Sequence, residues 1–256
     1  MEVLNDIVGY KNRKIYQCDK YFSFSLDSLI LANFVNINLS DKKIIDLGTG
    51  NGIIPLVMSL RTDKRIIGIE IQNELVQLAN KSIKYNNLED QIEILNIDMK
   101  DYVNDDNLNT VDLITCNPPY FKFSNNDKIS LSKEKAIARH EIEITLSEII
   151  SISNKLLKNG GRLALVIRTD RFYEALNLCK NNNIEPKRIR FVYDNPSKDA
   201  SLFFFEGIKN GRSGLKVEKP FILYDEFNNK TKEYEKFLTE VIKWVKRVMM
   251  IVLVYI

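Results

Sequence analysis

Lys43-Ile44-Ile45-Asp46-Leu47-Gly48-Thr49-Gly50-Asn51-Gly52 decides the fold. The β-branched, apolar run over residues 43–47 has the character of a buried strand, the three alternating glycines form a tight turn, and Ile53 to Leu60 continues as a helix. Outward from this unit the alternation repeats. Arg65 to Glu70 reads as a second strand, followed by an amphipathic helix over Asn73 to Tyr85 with Leu75, Leu78, Ala79, Ser82 and Ile83 on one face. Ile92 to Asp98 is a third strand. Val111 to Cys116 is a fourth, halted by Asn117-Pro118-Pro119 because proline cannot continue a ladder. Leu146 to Leu157 is predicted helical and closed by Asn159-Gly160-Gly161. Arg162 to Ile167 (strand), Arg171 to Asn181 (helix), and strands over Arg188 to Tyr193 and Ser201 to Gly207 complete the pattern. Such alternation implies right-handed crossovers and an α/β fold: a doubly wound, mostly parallel, seven-stranded sheet. Phe121 to Glu143 and roughly Asn195 to Tyr234 depart from it. Both follow strand ends, where α/β folds place their ligand loops.

Composition narrows the function. The 256 residues are 45% apolar and 28% charged with a net charge of +3, as expected of a globular chain able to build a large core. Cys18, Cys116 and Cys179 are far apart and form no CxxC pair, which argues against a disulfide framework or a zinc site. His140 is the only imidazole, so chemistry needing a pair of histidines is excluded. The N-terminus lacks the apolar core of a signal peptide. The longest apolar run, Val248 to Ile256, is too short to span a bilayer, so no metal, no membrane and a cytoplasmic location are expected. One domain over 1–247 is expected: an N-terminal cap segment to about residue 40, a core over 41–209, an extension over 210–247, and then an apolar tail over 248–256 without assigned role.

The glycine turn suits close approach of a ligand, since glycine accepts backbone conformations other residues resist and a helix N-terminus favours electron-rich groups. It is not the dinucleotide pattern GxGxxG, because Gly52 follows Gly50 by two residues. Glu70 closes the second strand, 22 residues after Gly48, where a carboxylate accepts hydrogen bonds from ribose hydroxyls. Asp98 closes the third, placed to accept from an adenine amino group. Together these strand ends describe a nucleoside cradle, which either NAD or S-adenosylmethionine could fill. Asp46 favours the latter: its negative charge suits a sulfonium–amino acid moiety and would repel a pyrophosphate.

Asn117-Pro118-Pro119-Tyr120 then points to an acceptor. Two prolines stiffen the turn. The Asn117 amide oxygen and the Pro118 carbonyl can both accept from one amino group, freeing its lone pair to attack, while Tyr120 offers a flat face for a planar target. Displacement at a sulfonium needs alignment more than a strong base.

These motifs resemble the class I S-adenosylmethionine-dependent methyltransferases that modify planar amino groups, a Rossmann-like family, over about residues 5–245. The resemblance implies S-adenosyl-L-methionine as cofactor. Gly48, Gly50 and Gly52 would line its methionine moiety, Glu70 its ribose, and Asp98 with Met99 its adenine, with Phe24, Asp27, Asp46, Asn51, Ile71 and Asn117 completing the pocket. Asn117, Pro118, Pro119 and Tyr120 would hold the acceptor amine. Only about 40 residues precede the first of these strands, too few for the helical domain of release-factor glutamine methyltransferases, and no target-recognition domain of DNA adenine-N6 methyltransferases is evident. Phe22-Ser23-Phe24-Ser25-Leu26-Asp27 with Leu29-Ile30-Leu31-Ala32, Ala138-Arg139-His140-Glu141, and Gly211-Arg212-Ser213-Gly214-Leu215 before Pro220 to Tyr224 are similar to the bacterial tRNA-Val adenine-N6 methyltransferase family. That resemblance implies methylation of the position-37 adenine of tRNA-Val, with Arg139 and His140 as candidate RNA contacts. N5-methylation of a protein glutamine, or adenine-N6 methylation of another RNA or DNA, remains the alternative, and protein partners are left open. Residues 186–247 carry an excess of five positive charges, which suits a nucleic-acid-facing end. Phe203-Phe204-Phe205 reads as buried strand, not as a base-stacking platform.

Overall fold

The computed structural model describes residues 1–18, 25–118 and 144–238. Phe24, Pro119, Tyr120, Arg139, His140, the segment 121–143 and the apolar tail lie outside them.

Nine strands form one sheet. Its longer strands are β3 (Lys43–Leu47), β4 (Arg65–Glu70), β5 (Ile92–Asn96), β6 (Val111–Cys116), β7 (Leu157–Arg168), β8 (Ile184–Tyr193) and β9 (Leu202–Lys209). Two-residue strands β10 (Lys216–Val217) and β11 (Phe221–Ile222) both pair with β8. The order is β10-β8-β9-β7-β6-β3-β4-β5, and every pairing is parallel except those of β9 with β7 and β8. The predicted seven strands are therefore present, widened by two edge pieces too short to carry a periodic signal.

Helices cover both faces: α1 (Leu26–Phe34), α2 (Ile53–Met58), α3 (Asn73–Tyr85), α4 (Leu146–Leu156) and α5 (Phe172–Asn181). Two apolar layers result. One packs Leu29, Leu31, Leu56, Ile83 and Phe204; the other packs Ile45, Ile114, Ile149, Leu163, Phe203 and Phe205. The three consecutive phenylalanines are all fully buried strand residues.

The structure corrects several local expectations. On α3 the buried stripe contains Val76 in place of Leu75. Asn159-Gly160-Gly161 does not close α4. The helix ends at an extended Leu157, and the glycines lie inside β7, where pairing with β6 slips between Val111 and Leu113. Gly160 has φ +79° and a Cβ on Gly161 would sit 2.9 Å from the Val111 carbonyl oxygen, so the pair permits an irregularity in the ladder. The third strand stops at Asn96, two residues short of Asp98. An antiparallel hairpin, β1 (Glu2–Ile7) and β2 (Tyr10–Cys18), was not anticipated. It docks on α3, with the Tyr16 amide donating to Ser82 Oγ at 2.9 Å and Asn86 bridging to the backbone of Lys14.

Helix α1 is fixed at its C-terminal end by two guanidinium groups. Arg61 donates to the carbonyls of Ala32 and Val35, and Arg188 donates to that of Phe34 while stacking 4.1 Å over its ring. Cations at a helix C-terminus satisfy carbonyls that have no partner within the helix. The opposite end of α1, capped by Ser25, is thereby held against the end of β6.

Candidate functional site

Parallel register brings the motifs together. Leu47 pairs with Ile69 on one side and Cys116 on the other, and Glu70 pairs with Asn96. The glycine turn, Glu70 and Asn117 therefore share one rim, at the carboxyl ends of β3, β4 and β6, the edge at which open α/β sheets bind ligands.

The turn is built by β4. Gly48 and Thr49 donate their amides to the Ile69 carbonyl at 2.9 and 3.0 Å. Glu70, buried, accepts from the Gly50 amide through Oε2 and from the Gln72 amide through Oε1, each at 2.9 Å. Gly48, Gly50 and Gly52 have φ of +66°, +59° and +82°. Their surroundings differ. A Cβ on Gly50 would meet nothing within 4 Å, and one on Gly48 only the Met99 methyl at 3.9 Å, whereas one on Gly52 would press on Ala79 Cβ at 3.2 Å. Gly48 and Gly50 leave open space; Gly52 allows α2 to start against α3.

Asp46 is fully buried. Its Oδ1 accepts from the Thr115 hydroxyl at 2.6 Å, and its Oδ2 makes no well-formed hydrogen bond. Burial pushes its pKa up to about 7, the Thr115 and Thr49 hydroxyls pulling it down and nearby Glu70 adding to the rise. The same burial, with Asp46 and Glu70 close by, raises the Cys116 thiol, which leaves it a poor nucleophile. On β6's end, Asn117 donates through Nδ2 to Ser28 Oγ at 2.9 Å and Ser25 Oγ at 3.3 Å, and its Oδ1 has no partner. Pro118 is buried beside it. Asp98 is half-buried and accepts the Lys100 amide at 2.8 Å; Ile71 is 44% exposed next to Glu70. Asp27 is half-buried in the first turn of α1. Asn51 is buried in the turn.

Three buried oxygens, Asp46 Oδ2, Thr49 Oγ and Asn117 Oδ1, thus lie on the glycine turn and the adjoining strand ends without a well-formed hydrogen bond, although the Thr49 hydroxyl is near enough to Asp46 to lower its pKa. Each unmet buried polar group costs about 1–3 kcal/mol against a total stability of about 5–15 kcal/mol. The carboxylate oxygen of Asp46 and the amide oxygen of Asn117, both acceptors only, call for donors and positive charge at this rim. Those are the groups that a sulfonium, an ammonium and an amino group present, so the residues fit S-adenosylmethionine and an amine acceptor. A pyrophosphate offers none of them.

Sequence reasoning missed the partners that orient the site: Ser25, Ser28, Thr115, Asn96 and Gly68. Thr115 is directly opposite Asp46 in the β3–β6 register, a signal available once that pairing is drawn. Asn96 donates to the carbonyls of Glu70 and Ile71 at 3.1 and 3.0 Å, tying β5 to the end of β4. A Cβ on Gly68 would collide with Ile94 Cδ1 at 2.6 Å and Thr49 Cγ2 at 2.8 Å, so this mid-strand glycine makes room for the neighbouring strand's side chain and for the turn. A separate cavity of about 430 Å³ is lined by Lys42, Lys43, Arg65, Ile67, Glu93, Leu95 and Tyr102. Lys43 and Arg65 begin β3 and β4, so it opens at the far end of the sheet. Among the described residues no cluster of three or more His, Cys, Asp or Glu side chains is arranged for a metal ion, and no helix is long and apolar enough to cross a membrane.

Comparison with known proteins adds ancestry to this geometry. Residues 24–185 match the family model described as methyltransferase small domain. A tRNA1(Val) (adenine(37)-N6)-methyltransferase of Parabacteroides distasonis is 28% identical over 160 residues, 62% of this chain and 65% of that protein. Proteins of the same name from Cytophaga hutchinsonii (26% identity, 76% of this chain and 80% of that protein) and Phocaeicola vulgatus (24%, 90% and 97%) align over more of their length. Among solved structures, a predicted O-methyltransferase from Agrobacterium tumefaciens superimposes with a TM-score of 0.66 at 19% identity, covering 83% of this chain and 95% of that one. Geranyl diphosphate C-methyltransferase from Streptomyces coelicolor, solved with S-adenosyl-L-homocysteine, gives 0.52 at 12% identity over 71% of this chain and 74% of that one.

Proposed function

This chain belongs to the methyltransferase small domain family, and on that footing we propose that it is an S-adenosylmethionine-dependent methyltransferase acting on the exocyclic N6 of an adenine in tRNA, at position 37 of the anticodon loop of tRNA-Val. The observation that carries the reading is that the buried acceptor oxygens Asp46 Oδ2 and Asn117 Oδ1, at the ends of adjacent strands, lack a well-formed hydrogen bond at the same rim as the open space at Gly50. The names of the relatives direct it to tRNA adenine.

When bound, the cofactor supplies a methyl group on a sulfonium, already an excellent leaving group, so alignment and exclusion of water do most of the work. Glu70 holds the glycine turn through Oε2 and the Gln72 amide after its own strand through Oε1, and retains lone pairs for ribose hydroxyls. Asp98 and Met99 stand just beyond the end of β5 for the adenine, and Ile71 presents an apolar face to it. Asp46, kept near neutrality by burial, ionises when a cation arrives. Asn117 Oδ1, with the Pro118 carbonyl, accepts the hydrogens of the target amine and leaves its lone pair facing the methyl group. No strong base is needed, since the amine becomes acidic as the new bond forms. Pro119 and Tyr120 would complete the acceptor side, Phe24 and Asp27 the cofactor cover, and Arg139 and His140 the RNA contacts. The segment before β3 acts as a cap whose helix α1 meets Asn117.

Incubation with methyl-labelled cofactor and unmodified total tRNA, followed by nucleoside analysis, tests this. Labelled N6-methyladenosine is expected, and Asn117→Ala should abolish it while cofactor binding stays near normal. Label in a protein glutamine or in DNA instead, or full turnover by Asn117→Ala, would overturn the proposal.

A further inference from the structure

We infer that Ser25 and Ser28 are positioning residues for the transfer step: at the N-terminus of α1 they tie down the nitrogen end of the Asn117 carboxamide, so that Oδ1 is presented to the target amine at a fixed place. This rests on the acceptor role given to Asn117 above.

The geometry is specific. Asn117 Nδ2 has two hydrogens, and both have an acceptor, Ser28 Oγ at 2.9 Å and Ser25 Oγ at 3.3 Å. Ser28 is buried. Ser25 is further fixed as the cap of α1, its Oγ accepting the Ser28 amide at 3.4 Å. The rest of α1 cannot drift, because Arg61 and Arg188 hold its last carbonyls. One end of the carboxamide is therefore anchored to a helix held at its far end by Arg61 and Arg188, and the other end is a buried oxygen with no protein partner.

An asparagine side chain at the end of a strand has two free torsions and presents a donor or an acceptor with nearly equal ease. An amine needs the acceptor. Two hydroxyls on the nitrogen side remove the torsional freedom before substrate arrives, and preorganised groups of this kind accelerate the chemical step without tightening ground-state binding. The serines bond the Asn117 carboxamide and act through it.

Ser28→Ala removes the shorter bond and keeps the helix cap, and the Ser25→Ala/Ser28→Ala double variant removes both. We expect kcat to fall about tenfold in the first and about a hundredfold in the second, with the KM for tRNA and the calorimetric Kd for cofactor each within about twofold of wild type. A second measurement needs no turnover: in the isolated protein, the Asn117 side-chain amide protons, assigned by nuclear magnetic resonance through their loss in Asn117→Ala, exchange slowly with solvent in wild type and quickly in the double variant. Unchanged kcat, a loss of kcat matched by an equal loss of cofactor affinity, or rapid exchange already in wild type would each overturn the inference. If wild type transfers no methyl group to tRNA while the exchange contrast holds, the fault lies with the proposed substrate and not with the anchoring of Asn117.

Discussion

Glu70 Oε2 accepts the Gly50 amide at 2.9 Å, so the carboxylate that ends one strand shapes the turn that follows its neighbour. Glu70→Gln keeps the size but leaves one oxygen to serve two amides, Gly50 and Gln72, with an NH2 facing one of them. The unmet donor costs about 1–3 kcal/mol, which lowers Tm by several degrees, and cofactor affinity falls more than tenfold. Thermal unfolding and calorimetry read both. A variant that unfolds with wild-type Tm would show the two bonds to be dispensable.

The glycines of the turn separate binding from folding. Gly50→Ala puts a methyl group into open space at φ +59°, at a backbone cost of about 1–2 kcal/mol, and blocks the pocket. Gly52→Ala adds to the same strain a contact of 3.2 Å with Ala79 Cβ. Cofactor titration should therefore fail in Gly50→Ala while its Tm drops by a few degrees, and Gly52→Ala should lose more stability than Gly50→Ala. Equal Tm losses would contradict the distinction.

Asp46 makes binding depend on pH. Its folded pKa, about 7, lies above the unfolded value near 3.8. Between those values the folded state holds a proton that the unfolded state has lost. This group's contribution to the stability of the free protein is thus present in acid and fades as pH rises through about 7. A cation in the pocket favours the carboxylate, so below pH 7 binding releases a proton and affinity grows from pH 6 to pH 8. Asp46→Asn should flatten that slope and make the free protein more resistant to heat at pH 8. Calorimetry in buffers of different ionisation enthalpy counts the proton; no release at pH 6 would contradict the assignment.

Far from the pocket, Arg162 donates to Asp41 Oδ2 at 2.5 Å and to the Asn36 carbonyl at 3.0 Å, with both charged side chains buried. Asp41→Ala strands a buried guanidinium and should cost about 3–5 kcal/mol, measured by urea unfolding. Replacing both residues with apolar ones of similar volume should recover much of the loss. A loss under 1 kcal/mol for the single change would place Arg162 in contact with water after all.

Local periodicity carried the alternating core of the fold, and the glycine turn, Glu70 and Asn117 were legible because each sits at a strand end that hydrophobic runs define. What escaped depends on distance along the chain or on brevity. Ser25 and Ser28 meet Asn117 across about ninety residues, and nothing near them in sequence announces it. The edge strands β10 and β11 have two residues each, below any period. Gly160 and Gly161 look like a helix stop, yet serve a slip in the β7 ladder, because glycine's conformational freedom suits either use. Leu75 gave way to Val76 since helical spacing alone leaves the buried stripe uncertain by one position.

Phe204 enters one apolar layer of the molecule while its neighbours Phe203 and Phe205 enter the other. The middle of β9 is in this way a rivet through the sheet: neither layer can melt and leave its counterpart standing. Loss of order anywhere beneath α1 must be felt beneath α4, so heat should undo the described body of this chain in a single cooperative step, with the amides of residues 203–205 the last to take up deuterium.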